Sequence, residues 1–128
     1  MAQTTDTYRT VTPYLVVPDA DAELAFLLAA FGGTEATCQR NADKTVMHAE
    51  IRIDDSLVML GQAGGPWKAR PAALYLWVDD VDATYARALR AGATSESEPE
   101  DKPYGHRNAG VIDQNGITWW IGAPVKSR

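Results

Sequence analysis

Displaced by sixty-one positions, the chain matches itself. Tyr14 to Ala30 falls on Tyr75 to Ala91 with nine identities in seventeen positions, at Tyr14/Tyr75, Leu15/Leu76, Val17/Val78, Asp19/Asp80, Asp21/Asp82, Ala22/Ala83, Ala25/Ala86, Leu28/Leu89 and Ala30/Ala91. The pattern is a strand, a turn and a helix written twice. A doubled unit restricts the fold to two copies of one supersecondary module, and it directs the search for a site to matched positions in or between them.

Size and composition narrow the function classes. A chain of 128 residues is one domain's length and buries roughly two-thirds of its unfolded surface, so neither a metal nor a disulfide is needed for folding. The apolar content of 45% and charged content of 23% are those of a soluble globular protein, with no run near the ~18 apolar residues of a membrane span. The head MAQTTDTYRT lacks the basic and apolar regions of a signal peptide. One cysteine, Cys38, excludes an internal disulfide and fits a cytoplasmic location. A net charge of −5 without a basic stripe argues against a nucleic-acid partner, and the short basic tail at Lys126 to Arg128 does not change that.

The order of elements follows from caps, breakers and alternation. Residues 12–17 read as a strand; Asp19 caps a helix over Ala20 to Phe31, which Gly32 and Gly33 stop. Three strands follow at Thr34 to Arg40, Thr45 to Ile53 and Leu57 to Leu60, parted by turn-rich segments. Gly61 to Ala72, rich in Gly and Pro, reads as a linker. The second half repeats the order: a strand at Leu74 to Val78, a helix capped by Asp80 and running to about Ala91, an edge strand at Thr94 to Glu98, an acidic loop from Pro99 to Tyr104, and strands at Arg107 to Ile112 and Ile117 to Gly122. The expected architecture is α+β: two tandem βαβββ modules, about residues 11–61 and 73–124, forming curved mixed sheets in a single domain.

Strand alternation then sorts side chains into faces. Met47, Ala49, Ile51 and Ile53 are expected beneath the first helix, with Val46, His48, Glu50 and Arg52 opposite. Tyr14, Tyr75 and Trp77 share that opposite face, as do Met59 and Trp120. Matching Ile53-Asp54 to Ile112-Asp113 puts Arg107 at the position equivalent to His48. The resulting groove has aromatic walls with one imidazole, one carboxylate and two guanidinium groups, which suits a flat small molecule with polar substituents.

Two βαβββ units whose helices begin Asp-x-Asp-Ala resemble the vicinal oxygen chelate superfamily, which includes glyoxalase I, ring-cleaving dioxygenases and bleomycin-resistance proteins. Met47 to Ile53, Tyr104-Gly105-His106-Arg107 and the Asp113-x-x-Gly116-x-x-Trp119-Trp120 ending are similar to its glyoxalase/bleomycin resistance branch. His106 and Gln114 depart from that branch, which more often has Asp and Pro there. The resemblance implies the glyoxalase/bleomycin resistance fold and a homodimer. In catalytic members a divalent metal sits on His or Glu ligands from the first and last strands of each module. Carried across, those positions fall on Thr12, Ala73, near Met59 and on Trp120. None is a usual donor for Zn, Fe, Ni or Mn, so no metal or other cofactor is expected.

Three readings stay open. The leading one is a protein that binds or sequesters an aromatic or polar compound through Tyr14, Arg52, Met59, Tyr75, Trp77, Arg107 and Trp120. The second is a lyase, isomerase or dioxygenase-like enzyme using His48 and Glu50 as an acid/base pair or as relocated metal ligands; a structural pairing of Glu50 with Arg52 or Arg107 is the plain alternative. The third, an interaction module, requires the groove to be filled by its own aromatic rings, leaving no cavity of about 300 Å³.

Overall fold

Asp19 and Asp80, equivalent in the two repeats, begin both helices in the same way. Each sits in extended backbone and accepts a hydrogen bond on its side chain from the backbone N–H three residues on, Ala22 at 3.1 Å and Ala83 at 3.0 Å. Capping of this kind satisfies one of the helix's orphan donors and is worth ~1 kcal/mol. In the computed structural model, which describes residues 8–125, the order is β1 (Tyr14–Val17), α1 (Ala20–Phe31), β2 (Thr34–Arg40), β3 (Val46–Ile53), β4 (Ser56–Gln62), β5 (Ala73–Trp77), α2 (Val81–Arg90), β6 (Thr94–Asp101), β7 (His106–Ile112) and β8 (Thr118–Pro124). The stretch before Tyr8 and the tail at residues 126–128 lie outside the described residues.

The strands form two four-stranded mixed sheets ordered β1-β4-β3-β2 and β5-β8-β7-β6. In each, the first strand of the module runs parallel to the last, and the other pairings are antiparallel. This is the α+β tandem βαβββ architecture expected from the repeat. No helix among the described residues is long and apolar enough to cross a membrane.

Two strands depart from simple alternation, each at a bulge. Gln39 pairs with His48 and Arg40 with Val46, so Met47 has no partner across the ladder. The extra residue inverts the alternation: Val46 joins the core and Met47 turns outward, half exposed, the reverse of the expected assignment. In the second module β6 runs on through Pro99 to Asp101, where a loop was expected. Pro99 lies in the irregularity between the Ser97–Gly110 and Glu100–Asn108 pairs of an edge strand, where its missing N–H costs no ladder bond.

The two modules touch mainly through their helices, α1 against α2. Helix α1 is apolar on more than one side because it packs against its own sheet and against the second module; Phe26, Leu27 and Ala30 are fully buried, and Phe31 meets Trp119 with ring centroids 5.0 Å apart. Its two ends are held by the other module. Asn115, in the turn between β7 and β8, accepts from Asp19 N at 2.9 Å and donates to Asp19 O at 2.8 Å and to Glu23 Oε1 at 3.0 Å. At the other end Arg87 Nε donates to Ala30 O at 3.3 Å. From the first module, Gln62 supports the same helix start by accepting from Ala20 N and donating to Pro18 O.

Glu23 is the costly member of this junction. It is fully buried, and among the described residues only its Oε1 finds a hydrogen-bond partner. Burial, followed by the neighbouring Asp113 carboxylate, pushes its pKa from the ordinary 4.5 up to about 9. A folded-state pKa raised above the unfolded value means the native state binds the proton more tightly. The associated stability is therefore complete below about 4.5 and is lost as the pH rises toward about 9. Glu23→Gln keeps a neutral amide at this place and removes the slope. Melting temperatures measured across that window should show the variant gaining steadily on the parent protein as the pH rises; parallel curves would contradict the assignment.

Candidate functional site

On the face of the first sheet away from α1, a row of polar and aromatic side chains is set by strand pairing. Tyr14 of β1 lies beside Met59 of β4, and Met59 lies beside Glu50 of β3, with His48 and Arg52 two residues either side of Glu50. Tyr14 Oη is 3.2 Å from His48 Nδ1, and His48 Nε2 is 2.8 Å from Glu50 Oε2. The second oxygen of Glu50 accepts from the Tyr8 hydroxyl at 2.9 Å. Glu50 is only 7% exposed, and both its oxygens are satisfied, as burial of a carboxylate demands. The hydrogen bond to this carboxylate, and then its charge, raise the pKa of Tyr8 and keep that phenol protonated. Glu50 therefore pairs with His48 and Tyr8, with neither arginine, and Arg52 makes no ion pair among the described residues.

The corresponding face of the second sheet is built from rings. Tyr75 and Trp77 of β5 stand 4.7 Å apart between ring centroids, Trp77 meets His106 at 5.0 Å, and His106 meets Tyr104 at 5.6 Å. Trp120 of β8 lies beside Tyr75 in the parallel pairing. Glycines make the room. A Cβ on Gly110 would sit 2.5 Å from Trp120 Cζ3, and one on Gly122 would sit 2.7 Å from Tyr75 Cε1, so both rings lie down on bare backbone. At Gly61, the repeat equivalent of Gly122, a Cβ would sit 2.7 Å from the Met47 carbonyl oxygen and 3.3 Å from Tyr14 Oη, a looser version of the same approach.

Arg107 is not part of this face. The pairing of Glu50 with Met59 and of Gly110 with Trp120 shows that β3 and β7 correspond with a shift of sixty, which makes Asn108 the counterpart of His48. The hairpins differ in length: Ile53 pairs with Ser56, whereas Ile112 pairs with Thr118. Aligning the two hairpin entries therefore slips by one residue, and a one-residue slip exchanges faces. Arg107 points to the helix side, where its Nη2 donates to Asp82 at 2.9 and 3.2 Å and its Nη1 to Asp101 at 3.0 Å, beside a cavity of about 330 Å³ lined by Asp79 and Asp80. Asn108 was missed because its equivalence to His48 is hidden by that slip. It is buried and donates from Nδ2 to Tyr104 Oη at 3.1 Å and to Tyr75 Oη at 3.4 Å.

A cleft of about 760 Å³ opens between the modules at the free edge of β5. Tyr75 and Trp77 line it with Val11, Pro13, Phe31 and the turn between β3 and β4. Its size is that of a small-molecule site. Tyr14 at 50%, Tyr75 at 42% and Trp77 at 58% exposure are unusually open for such large rings. The faces are thus not filled by their own side chains. The structure groups Tyr14, His48, Glu50, Arg52 and Met59 on one wall and Tyr75, Trp77 and Trp120 on another, and sets Arg107 apart.

The positions where related enzymes hold a metal do not suit one here. Thr12 spends its hydroxyl on Arg9 O at 3.1 Å, and the others offer a methyl (Ala73), a thioether (Met59) and an indole (Trp120). These donors do not match a divalent cation. Among the described residues no group of three or more His, Cys, Asp or Glu is placed to hold a metal ion.

Comparison with known proteins places this geometry in context. The model of the Glyoxalase/Bleomycin resistance protein/Dioxygenase superfamily matches residues 7–121. The uncharacterized Mycobacterium bovis protein Mb0911c is 35% identical over 127 residues, covering 91% of this chain and 84% of its own length. The crystal structure of TioX from a Micromonospora species superimposes with a TM-score of 0.78 at 27% identity, over 91% of this chain and 99% of that one. That of TnmS3, an antibiotic binding protein from a Streptomyces species, does so with a TM-score of 0.72 at 20% identity, over 96% of this chain and 99% of that one.

Two substitutions test the site's anatomy. Gly110→Ala must push Trp120 off the sheet; near-ultraviolet dichroism should change and stability fall by about 1–3 kcal/mol, as overpacking does. Arg107→Met should leave the ring signals untouched and shift the thermal melting curve far less than Gly110→Ala does, because its ion pairs are largely solvated.

Proposed function

Because the chain belongs to the Glyoxalase/Bleomycin resistance protein/Dioxygenase superfamily, we propose that it is a small-molecule binding protein that holds a flat aromatic or polar compound without the superfamily's usual metal. The observation that carries this reading is the set of open rings laid over glycines, of which Tyr75 lines a ligand-sized cleft together with Trp77, with no group of three or more His, Cys, Asp or Glu among the described residues placed to hold a cation. Each stacked ring adds ~1 kcal/mol beyond the area it buries, and area burial adds ~25 cal/mol per Å², so affinity arises without a covalent step. The same fold in TnmS3, described as an antibiotic binding protein, accords with such a role.

The working form in this proposal is a homodimer. Within one chain the sheets' outer faces do not meet, since the modules are joined through α1 and α2, and β1 and β5 stand at sheet edges, where Val16 O of β1 accepts from Arg70 N of the linker at 3.1 Å. A second copy would cover those edges and set the Tyr14 wall of one protomer against the Tyr75 and Trp77 wall of the other. A cytoplasmic location accords with the single free thiol of Cys38.

The hydrogen-bonded His48–Glu50 pair supports a second reading, proton transfer in a lyase or isomerase, with His48 as base and Glu50 holding its tautomer. The two readings separate by experiment. In calorimetric titrations of chelator-treated protein with indole, binding should persist, and Trp77→Ala and Trp120→Ala should each weaken it about fivefold, the equivalent of ~1 kcal/mol. Loss of binding on chelation, or unchanged binding in the double variant, would end the leading reading. Sedimentation equilibrium should give twice the monomer mass.

A further inference from the structure

The two repeat-equivalent tyrosines of the walls are wired in opposite directions. Tyr14 and Tyr75 occupy the same place in their modules, each lying by the equivalent glycine, Gly61 or Gly122, and each touching the equivalent β3 or β7 side chain, His48 or Asn108. What those partners do differs. A carboxylate can only accept. Glu50 therefore takes a hydrogen from Tyr8 on one oxygen and from His48 Nε2 on the other. In the neutral imidazole the hydrogen on Nε2 leaves Nδ1 as an acceptor. With the imidazole in that neutral form, the Tyr14 hydroxyl donates its only hydrogen to His48 Nδ1, 3.2 Å away. Its oxygen shows nothing but lone pairs to the groove.

At Tyr75 the direction is reversed. The Asn108 amide donates its two hydrogens to the Tyr104 and Tyr75 oxygens. Each of those hydroxyls accepts from within the protein, and among the described residues neither meets an acceptor for its own hydrogen. One wall of the groove is thus limited to accepting hydrogen bonds, and the other is supplied with donors.

We propose that this polarity selects the ligand: a planar heteroaromatic compound with an N–H or O–H on the edge that meets Tyr14 and a carbonyl or ring nitrogen on the edge that meets Tyr75 and Tyr104. The proposal rests on the reading of the two faces as walls of one binding groove, and it adds Glu50, His48 and Asn108 as positioning residues that need not touch the ligand. A ligand presenting an acceptor to Tyr14 finds no hydrogen there, and both acceptors lose a partner.

The test uses three uncharged probes titrated by calorimetry: 5-acetylindole, which carries a donor and an acceptor at opposite ends, its N-methyl derivative, which lacks the donor, and indole, which lacks the acceptor. The parent protein should favour 5-acetylindole over each of the others about fivefold, the usual worth of one hydrogen bond. Tyr14→Phe should abolish the preference over the N-methyl probe alone, and Tyr75→Phe with Tyr104→Phe the preference over indole alone. Glu50→Gln is the readout that a purely structural role would not move. Its amide can donate to His48 Nε2, which sends the imidazole hydrogen to Nδ1 and frees the hydrogen of Tyr14, so the preference for the N–H probe should shrink while indole still binds. Equal affinity for all three probes, or a preference that survives Tyr14→Phe, overturns the proposal and leaves the aromatic groove standing. Failure of indole itself to bind removes the groove reading and this proposal together.

Discussion

Helix α1 is the piece on which the rest of the molecule is assembled. It packs on its own sheet, abuts α2, and has both ends tied by the second module: Asn115 at its start, Arg87 at the Ala30 carbonyl in its last turn. Those ties satisfy backbone groups that a helix end leaves unpaired, so the relative placement of the modules and the integrity of the helix are one problem. The buried Glu23 belongs to the same junction. A carboxyl there is expensive in its ionised form, and it is held in register by Asn115, whose position the Asp113 carboxylate fixes by accepting from Asn115 N, Ile117 N and Trp119 Nε1. With the helices committed to each other, the sheets' opposite faces are left looking outward.

Those faces share a scaffold and differ in chemistry. Tyr over glycine occurs in both modules, as does the strand order that places it. Across the repeat, however, Glu50 becomes Gly110, Met59 becomes Trp120 and His48 becomes Asn108. The first module therefore carries a buried carboxylate with its hydrogen-bonded partners, and the second carries an apolar pavement with one amide at its centre. Removing the carboxylate at Gly110 is what lets the indole of Trp120 lie flat, since a side chain there would occupy the ring's place. Charge and stacking surface are thus mutually exclusive at that point of the sheet, and each module has taken one of them.

Much of this was legible in the sequence because it depends on local rules. The helix over Ala20 to Phe31 follows from an Asp cap, a periodic apolar run and two glycines, and the structure places it over the same residues. The doubled strand-helix signal fixed the architecture. What was hidden is register. The bulge at Met47 and the longer turn from Ile112 to Thr118 each move a strand by one residue, and neither leaves a composition signal as strong as a cap. Arg107 was assigned to the wrong face, and Asn108 overlooked, for that single reason. The glycines did carry a signal: Gly61 and Gly122 obey the sixty-one-residue repeat just as Tyr14 and Tyr75 do, and a matched glycine beside a matched aromatic points to a ring lying on the sheet. The latch made by Asn115 is hidden as well, since nothing in an Asp-Gln-Asn-Gly segment announces a partner ninety-six residues away.

The arrangement of His48 also bears on what the groove can do. An imidazole serves as a general base toward a ligand only through a nitrogen that the ligand can reach. Here Nε2 faces Glu50 and Nδ1 faces Tyr14, so both nitrogens are engaged within the protein. A proton taken from a bound molecule would have to pass through the Tyr14 oxygen, a weakly basic phenol whose own hydrogen moves to His48 in the same event. That route is open in principle, but it demands a donor already acidic enough to yield to a phenol. The same contacts cost nothing in a binding site, where they fix the direction of a hydrogen bond and keep a buried carboxylate satisfied. The chain of four side chains from Tyr14 to Tyr8 is therefore better suited to setting which way a hydrogen bond runs than to carrying a proton away.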